Sequence, residues 1–180
     1  MTFSQAVRTC LTRFLTFSGR ASRAEYWYFV LFALICNAVA ALIDWAFFTR
    51  VATIETDGDT TVVAVSSQPA QTVVGLILFL PLLSAAWRRM HDTGRSGWFV
   101  LLPTLLTAAA FAVLIFGIGL ASVFQPGGSL DILFTRATLL LVIPTLAVLF
   151  VSPLLVLWWL TRPSQPGPNR YGPNPHEVAQ

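Results

Sequence analysis

The sequence predicts an all-α integral membrane protein, a four-helix bundle with an N-terminal interfacial amphipathic helix and a small β-hairpin on the outer side. Two observations carry that expectation. Charged residues make up only 11% of the 180-residue chain and apolar residues 56%, with a mean hydropathy of +0.71. A soluble domain is about one-quarter charged, so this chain cannot cover a water-facing surface. Four apolar runs, at residues 26–48, 69–87, 98–120 and 137–160, each match the length of about 20 residues that a helix needs to cross a hydrocarbon core. Residues 1–180 therefore read as a single membrane domain.

Ahead of the first run, Phe3, Val7, Cys10, Leu11 and Phe14 fall on one helical face, and Arg8, Thr9, Thr12 and Arg13 lie away from it. That pattern predicts a helix lying in the membrane interface. Gly19 permits a change of direction. Ser22-Arg-Ala-Glu25 reads as a capping box, with the Ser22 hydroxyl accepting from the Glu25 amide and the Glu25 carboxylate reaching back to the Ser22 amide. The first run is broken only by Asp44. Ala38-Val39-Ala40 imitates a signal-peptidase site, but the polar stretch before it is long and apolar character continues to Phe48, so the run is expected to remain as a span.

Two β-prone stretches flank Asp57-Gly58, the pattern of a tight hairpin. Pro81, Pro103, Pro144 and Pro153 fall inside the later runs and predict kinks, which neighbouring helices in a membrane can accommodate. Between the second and third runs, residues 88–98 read as a polar loop in which Gly94 ends a helix in the left-handed conformation and Ser96 caps the next. Trp98, Trp158 and Trp159 read as interfacial belt residues. The tail, residues 161–180, is rich in Pro and Gly and reads as non-helical; it either docks on the loops beside it or leaves the membrane without order.

Orientation follows from arginine, since the chain contains no lysine. Arg8, Arg13, Arg20 and Arg23 precede the first run, Arg88, Arg89 and Arg95 join the second to the third, and Arg162 and Arg170 follow the fourth; only Arg50 and Arg136 lie on the other side. The positive-inside bias places both termini and residues 88–98 in the cytoplasm. The same distribution argues against nucleic-acid binding despite a pI near 9.4, because the cations flank apolar runs instead of forming one patch.

Little in the residues indicates a reaction. Without lysine there is no Schiff-base or P-loop chemistry. Cys10, Cys36, His91 and His176 have no spacing that would assemble a zinc site, and no nucleophile stands in a recognisable motif. No cofactor is expected. His91 and Asp92 either handle a proton beside anion-binding arginines or belong to a tight turn, with Asp92 paired to an arginine in the same segment, Arg95. Asp44 reads as an ion or proton site facing the bundle, or as an outer-interface residue reaching water. Asn37 is expected to bond across helices.

Three segments together resemble a known family: Phe17-Ser-Gly-Arg-Ala-Ser-Arg-Ala-Glu-Tyr-Trp27, Arg88-Arg-Met-His-Asp-Thr-Gly-Arg-Ser-Gly-Trp98, and Pro166-Gly-Pro-Asn-Arg-Tyr-Gly-Pro-Asn-Pro175. The combination is similar to the bacterial inner-membrane family known as domain of unknown function 805, apart from Met90 where leucine is common. The resemblance implies a multi-pass protein of the bacterial inner membrane and supplies no reaction. With all three motifs on one side, they are expected to converge into one polar assembly, in which Arg20, Arg23, Arg88, Arg89 and Arg95 surround Glu25, His91 and Asp92 while Asn169 and Tyr171 fold over them. The expected role is non-enzymatic, through anionic lipid headgroups, a homo-oligomer or a partner membrane protein. The alternative is a small transporter or channel component using Asn37, Asp44 and His91.

Overall fold

The computed structural model describes the backbone of residues 1–56, 59–124 and 136–177, and the side chains of residues 1–50, 66–116 and 142–177. A short helix α1 (Phe3–Thr12) leads into the long α2 (Arg23–Phe48). Strands β1 (Thr49–Thr56) and β2 (Asp59–Ser66) follow, then α3 (Pro69–Asp92), a 3-10 turn (Gly97–Leu101), α4 (Leu102–Phe124) and α5 (Arg136–Thr161). Four segments are long and apolar enough to cross a bilayer: Arg23–Phe48, Pro69–Asp92, Gly97–Phe116 and Val142–Thr161. The two strands form an antiparallel ribbon running from Thr49 opposite Ser66 to Thr56 opposite Asp59. Asp57 and Gly58, the dipeptide that predicts its turn, lie outside the described residues.

Local chemistry explains the helix ends. At α1, Thr2 and Gln5 form the reciprocal capping box, the Thr2 hydroxyl accepting from the Gln5 amide and the Gln5 side chain accepting from the Thr2 amide. At α2 only half of the expected box exists. Ser22 Oγ accepts from the Glu25 amide at 3.2 Å, but the Glu25 carboxylate turns away to a guanidinium on α3, because a buried carboxylate gains more from a cation than from one more amide.

Helix α3 runs five residues beyond the apolar run. Arg88, Arg89, His91 and Asp92 therefore form its last turn and are not loop residues. It ends in a Schellman motif: the Gly94 amide donates to the His91 carbonyl at 3.0 Å and the Arg95 amide to the Met90 carbonyl at 3.0 Å, with Gly94 at φ 78°. Ser96 precedes the 3-10 turn without a side-chain capping bond. Pro103, expected to kink a helix interior, sits in the first turn of α4, where its missing N–H costs nothing. Pro81, Pro144 and Pro153 do lie inside helices that continue through them.

Helix α2 packs along α3, and α4 along α5. The two hairpins meet mainly where α3 approaches the 3-10 turn and α5. The tightest packing gathers at that end, around Cys10, Phe29, Ala85, Met90 and Leu160. Small side chains permit it: Ala6, Ala21 and Ala85 are fully buried. Gly97 lies directly against the Trp87 indole, so close that a Cβ there would overlap the ring. Most other large apolar side chains point outward, among them Trp45, Leu76, Ile115 and Phe116, as expected of surfaces whose solvent is lipid.

Candidate functional site

The end where α2 begins and α3 and α5 finish is built around buried charge. Arg88, Arg89 and Asp92 are among the most deeply buried side chains of the protein. Burying an ion costs several kcal/mol unless a counter-ion and hydrogen bonds compensate it. Both buried carboxylates at this end have that compensation. Glu25 on α2 accepts from Arg88 Nη1 on α3 at 2.5 Å. Asp92 accepts from Arg20 Nε at 3.0 Å, from Arg89 Nη1, and from Ser164 Oγ at 2.5 Å.

The two guanidiniums on Asp92 reach further. Arg89 also donates to the carbonyls of Leu160 (3.0 Å), in the last turn of α5, and of Arg162, just past its end. A cation at a helix C-terminus meets both the orphan carbonyls and the negative end of the helix dipole. Arg20 donates to the Gln165 carbonyl at 2.6 Å and the Gly167 carbonyl at 2.8 Å, which are backbone groups of the tail. The tail returns the Gln165 amide to the Asp92 carbonyl at 2.8 Å. Asp92 thus ties together α3, α5, the segment before α2 and the C-terminal tail.

The rest of the tail closes over this hub. Asn169 Nδ2 donates to the His91 carbonyl at 3.0 Å, and the Tyr171 ring stacks on His91 with centroids 3.7 Å apart and planes 4° from parallel. His91 Nδ1 lies 3.1 Å from the Gly19 carbonyl. A carbonyl can only accept, so Nδ1 carries the proton and Nε2 is the free lone pair of the neutral ring. Glu177 fastens the tail to itself through Asn174 and the Gly167 amide.

Two expected members stand apart. Arg23 is exposed and makes no ion pair among the described residues. Arg95 does not pair with Asp92, whose oxygens are already taken. Its guanidinium lies 5.0 Å over the Trp159 ring and makes one long bond, 3.4 Å, to the Thr93 carbonyl. Burial, and then the nearby Arg162, pull its pKa below the usual guanidinium range.

The intramembrane polar residues also differ from expectation. Asn37 donates to the Ala33 carbonyl of its own helix at 2.9 Å and, among the described residues, makes no bond across helices. Asp44 is buried at the opposite end, where its two oxygens accept from the Ala70 and Gln71 amides at 2.9 Å each. It caps the N-terminus of α3 from the neighbouring helix and is buried there, where an outer-interface residue reaching water was one expectation. No local pattern reveals such a cap, because donor and acceptor belong to different hairpin arms.

Sequence reasoning also missed Ser164 and Gln165, whose only signal is their position between prolines, and the role of Cys10. The Cys10 thiol lies 3.9 Å from Glu25 Oε1. Burial and the Glu25 charge push its pKa up to about 12. Among the described residues no three His, Cys, Asp or Glu side chains gather closely enough to hold a metal.

The three segments that build this assembly span the region matched by one protein family. The profile of the family described as "Protein of unknown function (DUF805)" covers residues 14–173. The chain belongs to that family. Two relatives from Escherichia coli strain K12, inner membrane protein YhaH and inner membrane protein YhaI, are each 34% identical over 92 residues. Those residues are 51% of this chain, and 66% and 64% of the respective relatives. The match thus spans just under two thirds of each relative's length. No solved structure matches the chain. Family membership, the inner-membrane relatives and the four apolar helices together describe a multi-pass membrane protein. Arg20, Glu25, Arg88, Arg89, Asp92, Asn169 and Tyr171 all fall within the matched region.

Proposed function

We propose that this protein is a non-enzymatic component of the bacterial inner membrane, and that the arginine–carboxylate assembly forms a rigid platform at its cytoplasmic end through which it engages other membrane components. One observation carries this reading. The polar groups that could do chemistry are consumed in holding the platform together: Glu25 by Arg88, Asp92 by Arg20, Arg89 and Ser164, and His91 between Gly19 and Tyr171. A general acid or base must be able to reach a substrate proton; both buried carboxylates are taken up by their partners, and the His91 ring is held by Gly19 and covered by Tyr171. The transport alternative loses its markers in the same way, since Asn37 is bonded to its own helix and Asp44 to the α3 amides.

The cytoplasmic placement is supported by arginine. Arg20, Arg23, Arg88, Arg89, Arg95, Arg162 and Arg170 belong to one end of the helices, and Arg50 belongs to the other. Detergent-free extraction of native membranes into polymer-bounded discs, followed by single-particle mass measurement, tests the interaction reading. The expected result is one assembly of defined mass, homo-oligomer or complex, that dissociates when Asp92 is replaced by Ala. Monomeric discs from wild-type cells, together with substrate-dependent flux in proteoliposomes abolished by Asp44→Asn, would establish the transporter instead.

A further inference from the structure

Five cations of the polar end, leaving aside the exposed Arg23 and the Arg170 that lies over Tyr171, fall into two groups. Arg20, Arg88 and Arg89 are buried against carboxylates. Arg95 and Arg162 have no carboxylate partner among the described residues, and each guanidinium lies over a tryptophan ring, Arg95 over Trp159 at 5.0 Å and Arg162 over Trp158 at 4.3 Å. A guanidinium held by its face keeps its N–H edge available for an anion. The Arg162 side chain makes no hydrogen bond among the described residues, and Arg95 makes only the long one to Thr93. Both line a cleft of about 450 Å³, together with Ser164 and Gln165.

A second cleft lies toward the same end of the helices. About 490 Å³ in volume and almost wholly apolar, it is walled by residues such as Leu82, Leu101, Thr104, Pro153 and Leu157, where the two helical hairpins separate. Leu160, in the last turn of α5, lines this apolar cleft, and Arg162, just past the end of α5, lines the polar one, so both clefts lie toward the same end of that helix. Two cations without a carboxylate partner among the described residues thus stand at the end of α5 toward which the apolar slot between membrane-spanning helices extends. Burial first, and the neighbouring Arg162 second, lower the Arg95 pKa, and an anion between the two guanidiniums relieves the second of these.

We propose that Arg95 and Arg162 bind the phosphate of one anionic phospholipid whose acyl chain occupies the apolar cleft between α3, α4 and α5. Charge complementarity selects this occupant. A second copy of the chain would bring its own Arg95 and Arg162 toward these, and a zwitterionic lipid adds a cation of its own. The proposal rests on the membrane-interaction reading above but does not require an assembly, since one copy carries the whole site.

Native mass spectrometry of the full-length chain in detergent tests it, with palmitoyl-oleoyl phosphatidylglycerol, phosphatidylcholine bearing the same chains, and inorganic phosphate as three separate probes. The expected result is one saturable phosphatidylglycerol site that phosphatidylcholine fills poorly and inorganic phosphate does not fill. Arg95→Gln with Arg162→Gln should weaken phosphatidylglycerol about 30-fold, which is about 2 kcal/mol for two cations near the surface. Arg8→Gln with Arg13→Gln removes the same charge from exposed positions on and just after α1 and should leave affinity unchanged. Should the glutamine pair misfold, Arg95→Ala alone and Thr104→Trp, which fills the apolar cleft, should each still lower affinity. Equal binding of the two lipids, equal losses in the two glutamine pairs, or full competition by inorganic phosphate overturns the proposal. A lipid-insensitive dimer that excludes phosphatidylglycerol overturns it also, in favour of a second copy. The same spectra report mass, so a monomer that binds phosphatidylglycerol upholds the lipid site even as the assembly reading fails.

Discussion

Replacing Asp92 with Ala is the most informative single perturbation of this fold. Asp92 is fully buried, and its partners Arg20 and Arg89 have side chains that are 1% and 0% exposed. Removing the carboxylate leaves two guanidiniums facing each other out of water. Breaking a buried ion pair by deleting one partner costs about 3–5 kcal/mol, and losing the Ser164 hydrogen bond adds about 1 kcal/mol. Against a total stability of about 5–15 kcal/mol, that is enough to unfold the polar end or to lose the protein from the membrane. Arg95→Ala provides the contrast. It removes one long hydrogen bond and one stacking contact on Trp159, and should cost about 1 kcal/mol or less. Reversible unfolding of the purified chain in mixed micelles gives both values, and hydrogen exchange at residues 165–172 reports whether the tail is released. The charge-swapped double variant, Asp92→Arg with Arg95→Asp, should be no more stable than Asp92→Arg alone, because the native partners of Asp92 are elsewhere. If Asp92→Ala and Arg95→Ala cost the same, or if the swap restores stability, the hub described above is wrong.

Gly97→Ala should destabilise by about 1–3 kcal/mol and shift tryptophan fluorescence, since the new Cβ falls within 2.2 Å of Trp87 ring atoms and the indole must move; unchanged emission and stability would refute that packing. Asp44→Ala should cost about 1–3 kcal/mol by uncapping the first turn of α3, seen as faster hydrogen exchange at Ala70 and Gln71, while the tail at the far end keeps its protection. In a Cys36→Ser background, Cys10 should resist maleimide at about pH 8, where a thiol of pKa about 12 is ionised in about one molecule in ten thousand. Reactivity should then rise with pH through that pKa; rapid labelling at neutral pH in folded protein would contradict its burial.

The sequence alone determined the solvent, the number of spans and the placement of most helix ends. Those properties are local. A run of about 20 apolar residues has the length to cross lipid whatever it packs against, Ser22 caps α2 through an amide three residues away, and Gly94 supplies its positive φ within one turn. The Asp57-Gly58 signal for a two-stranded ribbon is local in the same sense. Pairing across the chain was another matter. Asp92 has Arg95 three residues after it and Arg89 three residues before it; on a helix both spacings permit contact. The Schellman turn ends the helix between Asp92 and Arg95 and sends Arg95 toward Trp159, leaving Arg89 on the same helical face as Asp92. Glu25 likewise had a local partner in the Ser22 amide and an unseen one in Arg88, and the buried cation prevailed. Asp44 had no local partner at all until α2 and α3 were laid side by side. Only tertiary structure decided these pairings, because a buried charge takes whichever counter-ion burial brings nearest, and distance along the chain does not measure that.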